Sequence, residues 1–162
     1  MDLVTNEFVK CTASVILTFY TNLFDAILDN GEVPEAWTTG IIVPIYKRKG
    51  ETTDPNNYRG ITLVSVLGKV FTKLINTRID TFLNSNSILL DNQAGFRKNM
   101  STADQVFVLQ NLIDVFLKKG KKLFVAWVDY EKAFDKVWRQ GLFHKMLKEG
   151  ISSKIVDIVK AI

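Results

Sequence analysis

The stretch LFVAWVDYEKAFDKVWR, Leu123–Arg139, decides how this chain is read. Its six apolar residues, Leu123 to Val128, run into Asp129, with Glu131, Lys132 and Asp135 close behind. A run this short and this apolar reads as a sheet strand buried on both faces. A carboxylate at the exit of a buried strand is costly unless a cation meets it. A divalent cation would do so: Mg²⁺ takes oxygen ligands and engages one or two protein carboxylates together with substrate phosphates. An aspartate that caps the turn into Tyr130–Val137 accounts for the same residue, and spacing alone favours the cap.

The pattern around this stretch predicts the other elements. Phe8, Cys11, Val15, Phe19, Leu23 and Ile27 recur at helical spacing, so a helix is expected over Val4–Asp29, with those residues as its buried face and Cys11 in the core. Gly31 stops it and Pro34 follows. The β-branched GIIVPIY, Gly40–Tyr46, reads as a strand, and Pro44 confines it to an edge. The turn-rich KRKGETTDPNN leads to YRGITL as the return strand of a hairpin. Ser65 then caps a helix carrying Leu67, Val70, Phe71, Leu74, Ile75, Arg78 and Ile79 in register. Ser101 and Asp104 form a capping-box start for a helix that Gly120 ends. Two further helices cover Gln140–Gly150 and Ser152–Ile162, the last with no stop signal, as in a chain that continues. Trp37 and Trp138 are expected to pack, and His144 to lie part-exposed on a helix. Helix, hairpin, two helices, strand and helices make an α+β chain.

Composition narrows the class. Of 162 residues, 47% are hydrophobic and 23% charged, which is a globular balance rather than a disordered one. The single Cys11 has no internal disulfide partner, and no Cys/His cluster suggests a metal, so a reducing intracellular setting is expected. The uncharged run Cys11–Phe24 is 14 residues long and contains five polar ones, too short and polar to span a bilayer. No membrane partner is therefore expected. Net charge is +4, but residues 1–46 carry −5 and residues 47–162 carry +9. A basic body suits a polyanion, and a merely solvated basic face accounts for it equally well.

Three regions carry residues suited to chemistry. Asp129 is the first. Lys47, Arg48 and Lys49 at the hairpin tip, with Arg59 on the return strand, are cations able to hold a triphosphate or a template backbone. QAGFRKNMSTADQ, Gln93–Gln105, combines an aromatic, Arg97, Lys98 and glutamines ahead of a helix N-terminus. Taken singly, the hairpin tip reads as a soluble loop and the third region as a helix entry.

Three blocks in order, PEAWTTGIIVPIYKRKGETTDPNNYRGITLVSVLGKVFTKLINTRI, DNQAGFRKNMSTADQV and FVAWVDYEKAFDKVW, resemble the reverse transcriptase domain of non-LTR (LINE-type) retrotransposons. The resemblance covers nearly the whole chain from about Asn6. It implies a right-hand polymerase: an N-terminal helical extension over 1–38, fingers over 39–120, and a partial palm over 121–162, truncated before the second catalytic carboxylate hairpin. It implies that Asp129 is catalytic and ligates Mg²⁺ with the Tyr130 backbone carbonyl. Phe134 falls where the family holds an aromatic against the ribose 2′-OH, and Lys47 and Arg59 where it grips the incoming dNTP. Gln93, Gly95, Phe96 and Arg97 match a block along the template path. RNA template, DNA primer and dNTP are the implied partners, in the nucleus or cytoplasm. After Val137 no Asp-Asp pair occurs, so the chain alone is expected to be inactive. A non-catalytic RNA- or DNA-binding module is the alternative.

Overall fold

The computed structural model describes residues 4–162. In order they form α1 (Asn6–Asn30), α2 (Glu35–Thr38), β1 (Ile41–Tyr46), β2 (Tyr58–Leu63), α3 (Val66–Ser85), α4 (Thr102–Lys118), α5 (Arg139–Lys148) and α6 (Ser153–Ala161), with a 3-10 turn at Pro55–Asn57. Helices with one two-stranded sheet give an α+β chain, as expected. The chain divides into two units: Leu83–Arg139 form one, and the other described residues form the second.

In that second unit, local signals act where the sequence puts them. The Thr5 hydroxyl accepts from the Phe8 N–H at 3.2 Å and opens α1. Gly31, left-handed at φ 74°, donates to the Ile27 carbonyl at 2.9 Å and closes it. Ser65, almost fully buried, accepts from the Gly68 N–H at 3.1 Å at the head of α3. The core gathers Ile27, Leu28, Trp37, Phe71, Ile75 and Ile158. Phe71 is at its centre with 0% exposure, its ring 5.7 Å from Trp37 and 5.3 Å from Phe24. Gly68 lets α3 come this close, since a Cβ there would stand 3.2 Å from the Trp37 side chain. On the surface the Lys154 ammonium meets the Asp29 carboxylate at 2.8 Å and links α6 to α1.

The buried stripe expected along α1 forms only near its end. Phe8, Cys11, Val15 and Phe19 are exposed, so Cys11 is not a core residue. The helix is kinked at Ile16; beyond it Tyr20 rather than Phe19 is buried, and the main core cluster meets the helix from Leu23 onward. At 25 residues α1 is long and apolar enough to cross a membrane by length and composition, which the count of its uncharged run understated.

β1 and β2 pair antiparallel in the register Ile41↔Leu63, Pro44↔Gly60 and Tyr46↔Tyr58. Both strands are edges, which is why Pro44 is tolerated. None of their residues is buried.

In the Leu83–Arg139 unit, α4 starts with the expected capping box. The Asp104 N–H donates to Ser101 Oγ at 3.3 Å, and the Ser101 N–H donates to Asp104 Oδ2 at 2.8 Å. Gly120 follows its end at φ 62°. The strand expected at Leu123–Val128 is not formed. Phe124 and Trp127 are 89% and 82% exposed, and Trp138 is exposed rather than packed. A strand needs a partner for its N–H and C=O groups, and among the described residues β1 and β2 pair only with each other, with Leu123–Val128 on neither open edge. Asp129 therefore follows a largely exposed segment without regular structure, not a buried strand.

A prediction separates the two kinds of apolar residue. Phe71→Ala should cost about 3–5 kcal/mol in urea unfolding, as large core truncations do. Phe124→Ala should stay within about 0.5 kcal/mol, as exposed sites do. Equal losses would show that Leu123–Val128 is packed after all.

Candidate functional site

The residues singled out in the sequence fall in both units. Lys47 and Arg59 belong to the hairpin, while Gln93, Gly95, Phe96, Arg97, Asp129, Tyr130 and Phe134 belong to the Leu83–Arg139 unit.

On the hairpin, Ile45 faces Arg59, and the ladder continues one step past β1, where the Lys47 N–H donates to the Asn57 carbonyl at 2.7 Å. Side chains alternate across a strand. Lys47 and Arg59 therefore share one face, as diagonal neighbours across the pair. Tyr46 and Tyr58 stand opposite each other on the other face, with ring centroids 5.4 Å apart. The Lys47 ammonium donates to the Asn56 carbonyl at 2.7 Å, which leaves two of its three N–H groups for an anion. Lys47, Arg48, Lys49 and Arg59 are all exposed.

The loop between the strands is tied by side chains that the sequence reading passed over. Tyr46 Oη donates to the Gly50 carbonyl, Asn57 Nδ2 to the Glu51 carbonyl at 2.8 Å, and Tyr58 Oη to the Thr52 carbonyl at 2.8 Å. Three successive carbonyls thus each accept a bond from the strand ends. Asp54 Oδ1 accepts from both the backbone N–H and the Nδ2 of Asn56, at 2.9 and 3.0 Å. Gly50 is favoured twice over: its φ is 78°, and a Cβ there would lie 2.4 Å from Asn57 Nδ2 and force that side chain to move. The signal in DPNNY was its density of turn residues, but a turn motif does not reveal which carbonyls its side chains will find.

In the Leu83–Arg139 unit, Gln93–Met100 is a chain of tight turns. The Gln93 N–H donates to the Leu90 carbonyl at 3.1 Å, and the Met100 N–H to the Arg97 carbonyl at 3.4 Å. The Arg97 side chain is only 18% exposed and turns inward, donating from Nη1 to the Leu90 carbonyl at 2.9 Å. That guanidinium acts first as a strut for its own loop. Gln93 and Gly95 are exposed. Phe96, 94% exposed and in the left-handed region at φ 62°, holds its ring 6.2 Å from that of Phe134, edge to face. Two aromatics 38 positions apart therefore meet, which no spacing signal announces.

Asp129 is exposed and, among the described residues, makes no hydrogen bond or ion pair. The turn after it is closed by others: the Lys136 N–H donates to the Lys132 carbonyl at 3.1 Å, and Lys136 Nζ meets Glu131 at 3.1 Å. The turn-cap account of Asp129 finds no bond to support it. An unengaged carboxylate is a hard oxygen donor suited to Mg²⁺. No three His, Cys, Asp or Glu side chains converge to hold a metal ion among the described residues.

Residues 45–162 match the family described as reverse transcriptase (RNA-dependent DNA polymerase). The chain is 31% identical over 144 residues to the RNA-directed DNA polymerase from mobile element jockey of Drosophila melanogaster, covering 89% of this chain and 16% of that protein. It is 32% identical over 148 residues to the probable RNA-directed DNA polymerase from transposon BS of the same species, covering 91% of this chain and 16% of that protein. It is 27% identical over 128 residues to the retrovirus-related Pol polyprotein from type-1 retrotransposable element R2 of Nasonia vitripennis, covering 79% and 12%.

The strut role of Arg97 is testable. Arg97→Ala removes a charge-assisted bond worth about 1.5–3 kcal/mol locally. Amide exchange at Gln93 and Met100 should quicken while α4 stays protected. Arg97→Lys should recover only part of the protection, because an ammonium lacks the planar fork. Unchanged exchange in Arg97→Ala would mean that the guanidinium does not hold the loop.

Proposed function

Because the chain belongs to the reverse transcriptase (RNA-dependent DNA polymerase) family, we propose that it is a segment of the polymerase of a non-LTR retrotransposon, acting in nucleotidyl transfer. It spans 16% of the length of the first two relatives, so the activity belongs to the larger protein. In this reading residues 1–38 are a helical extension, 39–120 the fingers and 121–162 the start of the palm of a right-hand polymerase. RNA template, DNA primer and dNTP are its partners, and it works inside the cell, in the nucleus or cytoplasm.

The observation that carries the reading is the shared face of Lys47 and Arg59. Phosphoryl transfer asks little covalent chemistry of a protein; it asks for position and for cations on the phosphates. A lysine and an arginine side by side on an open hairpin face meet the second demand, the arginine with a fork that fits phosphate oxygens. Asp129 and the Tyr130 carbonyl would hold Mg²⁺, which when bound polarises phosphate oxygens and activates the primer hydroxyl. Phe134 would lie against the sugar and exclude a 2′-OH. Gln93, Gly95 and Phe96 would border the template, with Arg97 holding that loop in shape. Asp129 stands unpaired, so no protein bond has to break before it takes up this role.

The test uses the full-length polymerase carrying this segment. Asp129→Asn should reduce dNTP incorporation by about a thousandfold or more, on the scale of losing a metal-dependent electrostatic contribution, while template–primer affinity holds. Phe134→Ala should raise ribonucleotide incorporation relative to dNTP. Loss of incorporation together with all salt-dependent RNA binding would point to misfolding. Full incorporation in Asp129→Asn, with a steep salt dependence of RNA binding retained, would replace this reading by that of a binding module.

A further inference from the structure

We propose that Asn57 is a positioning residue for the triphosphate grip, fixing the hairpin tip so that Lys47 is held ready on the Arg59 face; this rests on the proposed role of Lys47 and Arg59. Three observations converge on it. First, Asn57 bonds both sides of the tip. Its carbonyl accepts from the Lys47 N–H at 2.7 Å, and its Nδ2 donates across the loop to the Glu51 carbonyl at 2.8 Å. Second, the Asn57 amide fills the space beside Gly50, where a Cβ would lie 2.4 Å from its Nδ2 and would have to displace it. Third, the Lys47 ammonium is seated on the carbonyl of the preceding residue, Asn56, at 2.7 Å. Asp54 fixes Asn56 by two bonds to one oxygen.

The chain of support runs from Asp54 and Asn57 through the loop backbone to Lys47. Asp54, Asn57, Tyr46 and Tyr58 are half-buried, while Lys47, Arg48, Lys49 and Arg59 are exposed. The supporting groups are thus less exposed than the cations. A free lysine would lose rotamer entropy on meeting a triphosphate; one already seated has lost part of it. The expected consequence is on ground-state nucleotide binding more than on the chemical step.

The experiment measures steady-state dNTP incorporation by the full-length polymerase carrying this segment. Asn57→Ala should raise KM for dNTP about tenfold with kcat within about twofold, the pattern of a lost binding interaction, and leave template–primer affinity unchanged. Asn57→Asp, which keeps the shape but sets an acceptor against the Glu51 carbonyl, should behave like Asn57→Ala. Asp54→Asn retains the accepting oxygen and should stay near the parent, whereas Asp54→Ala should raise KM. In the double variant Lys47→Ala/Asn57→Ala, KM should not exceed that of Lys47→Ala alone, because the two act as a unit. Hydrogen exchange at the Lys47 and Asn57 amides should quicken in Asn57→Ala while the amides of α3 keep their protection. A parent-like KM in Asn57→Ala, beside a raised KM in Lys47→Ala, overturns the inference and leaves the grip standing. Additive effects in the double variant also overturn it. Parent-like KM in both Lys47→Ala and Arg59→Ala sinks the grip itself.

Discussion

Backbone hydrogen bonding decides what this chain can build. Every N–H and C=O removed from water needs a partner, and a strand finds its partners only in another strand. Among the described residues β1 and β2 pair only with each other. Leu123–Val128 has the composition of a central strand but joins neither of their open edges, so it forms no strand and leaves Phe124 and Trp127 in solvent. Helices carry their own backbone partners, and that is why the helical core around Phe71 closes while the strand in the other unit does not.

That contrast explains what was legible in the sequence. Features that act within a few residues were readable: Ser65 as a cap, Gly31 in its left-handed turn, the Ser101–Asp104 box, and the hairpin with Pro44 on an edge. The caps are satisfied by atoms three or four positions away, and the hairpin by the strand that follows it in the chain. Burial was readable only where partners exist in the chain. The stripe of α1 is correct in period, yet only its last turns meet Trp37 and Phe71, so Cys11 and Phe19 face outward. Trp138 has the chemistry of a core residue and nothing to pack on. Periodicity states which face is apolar; it does not supply what covers that face.

The site residues show the same division. The grouping of Lys47 with Arg59 follows from a register that GIIVPIY and YRGITL together specify. The lacing beneath them does not, because Tyr46, Asn57 and Tyr58 bond to carbonyls of Gly50, Glu51 and Thr52 that carry no sequence label. The meeting of Phe96 with Phe134 is a tertiary fact as well. Arg97 reads by its charge as a template contact, and the sequence does not reveal that its Nη1 also donates to the Leu90 carbonyl of its own loop.

The two halves of the proposed chemistry are thus prepared in different ways. The cationic half is made locally: short-range bonds fix the tip, and their strength needs no other part of the protein. The anionic half is left open. Asp129 has no partner among the described residues, and an aspartate in water loses nothing by being unpaired. Its cost arises only when it is taken out of water, and a divalent cation arriving at that moment offsets the cost it would otherwise incur. A carboxylate already tied to a turn would have to give up that bond first. Local order around Lys47 and Arg59, and an Asp129 with no bond to give up, are therefore the starting states that the proposed chemistry asks of each group.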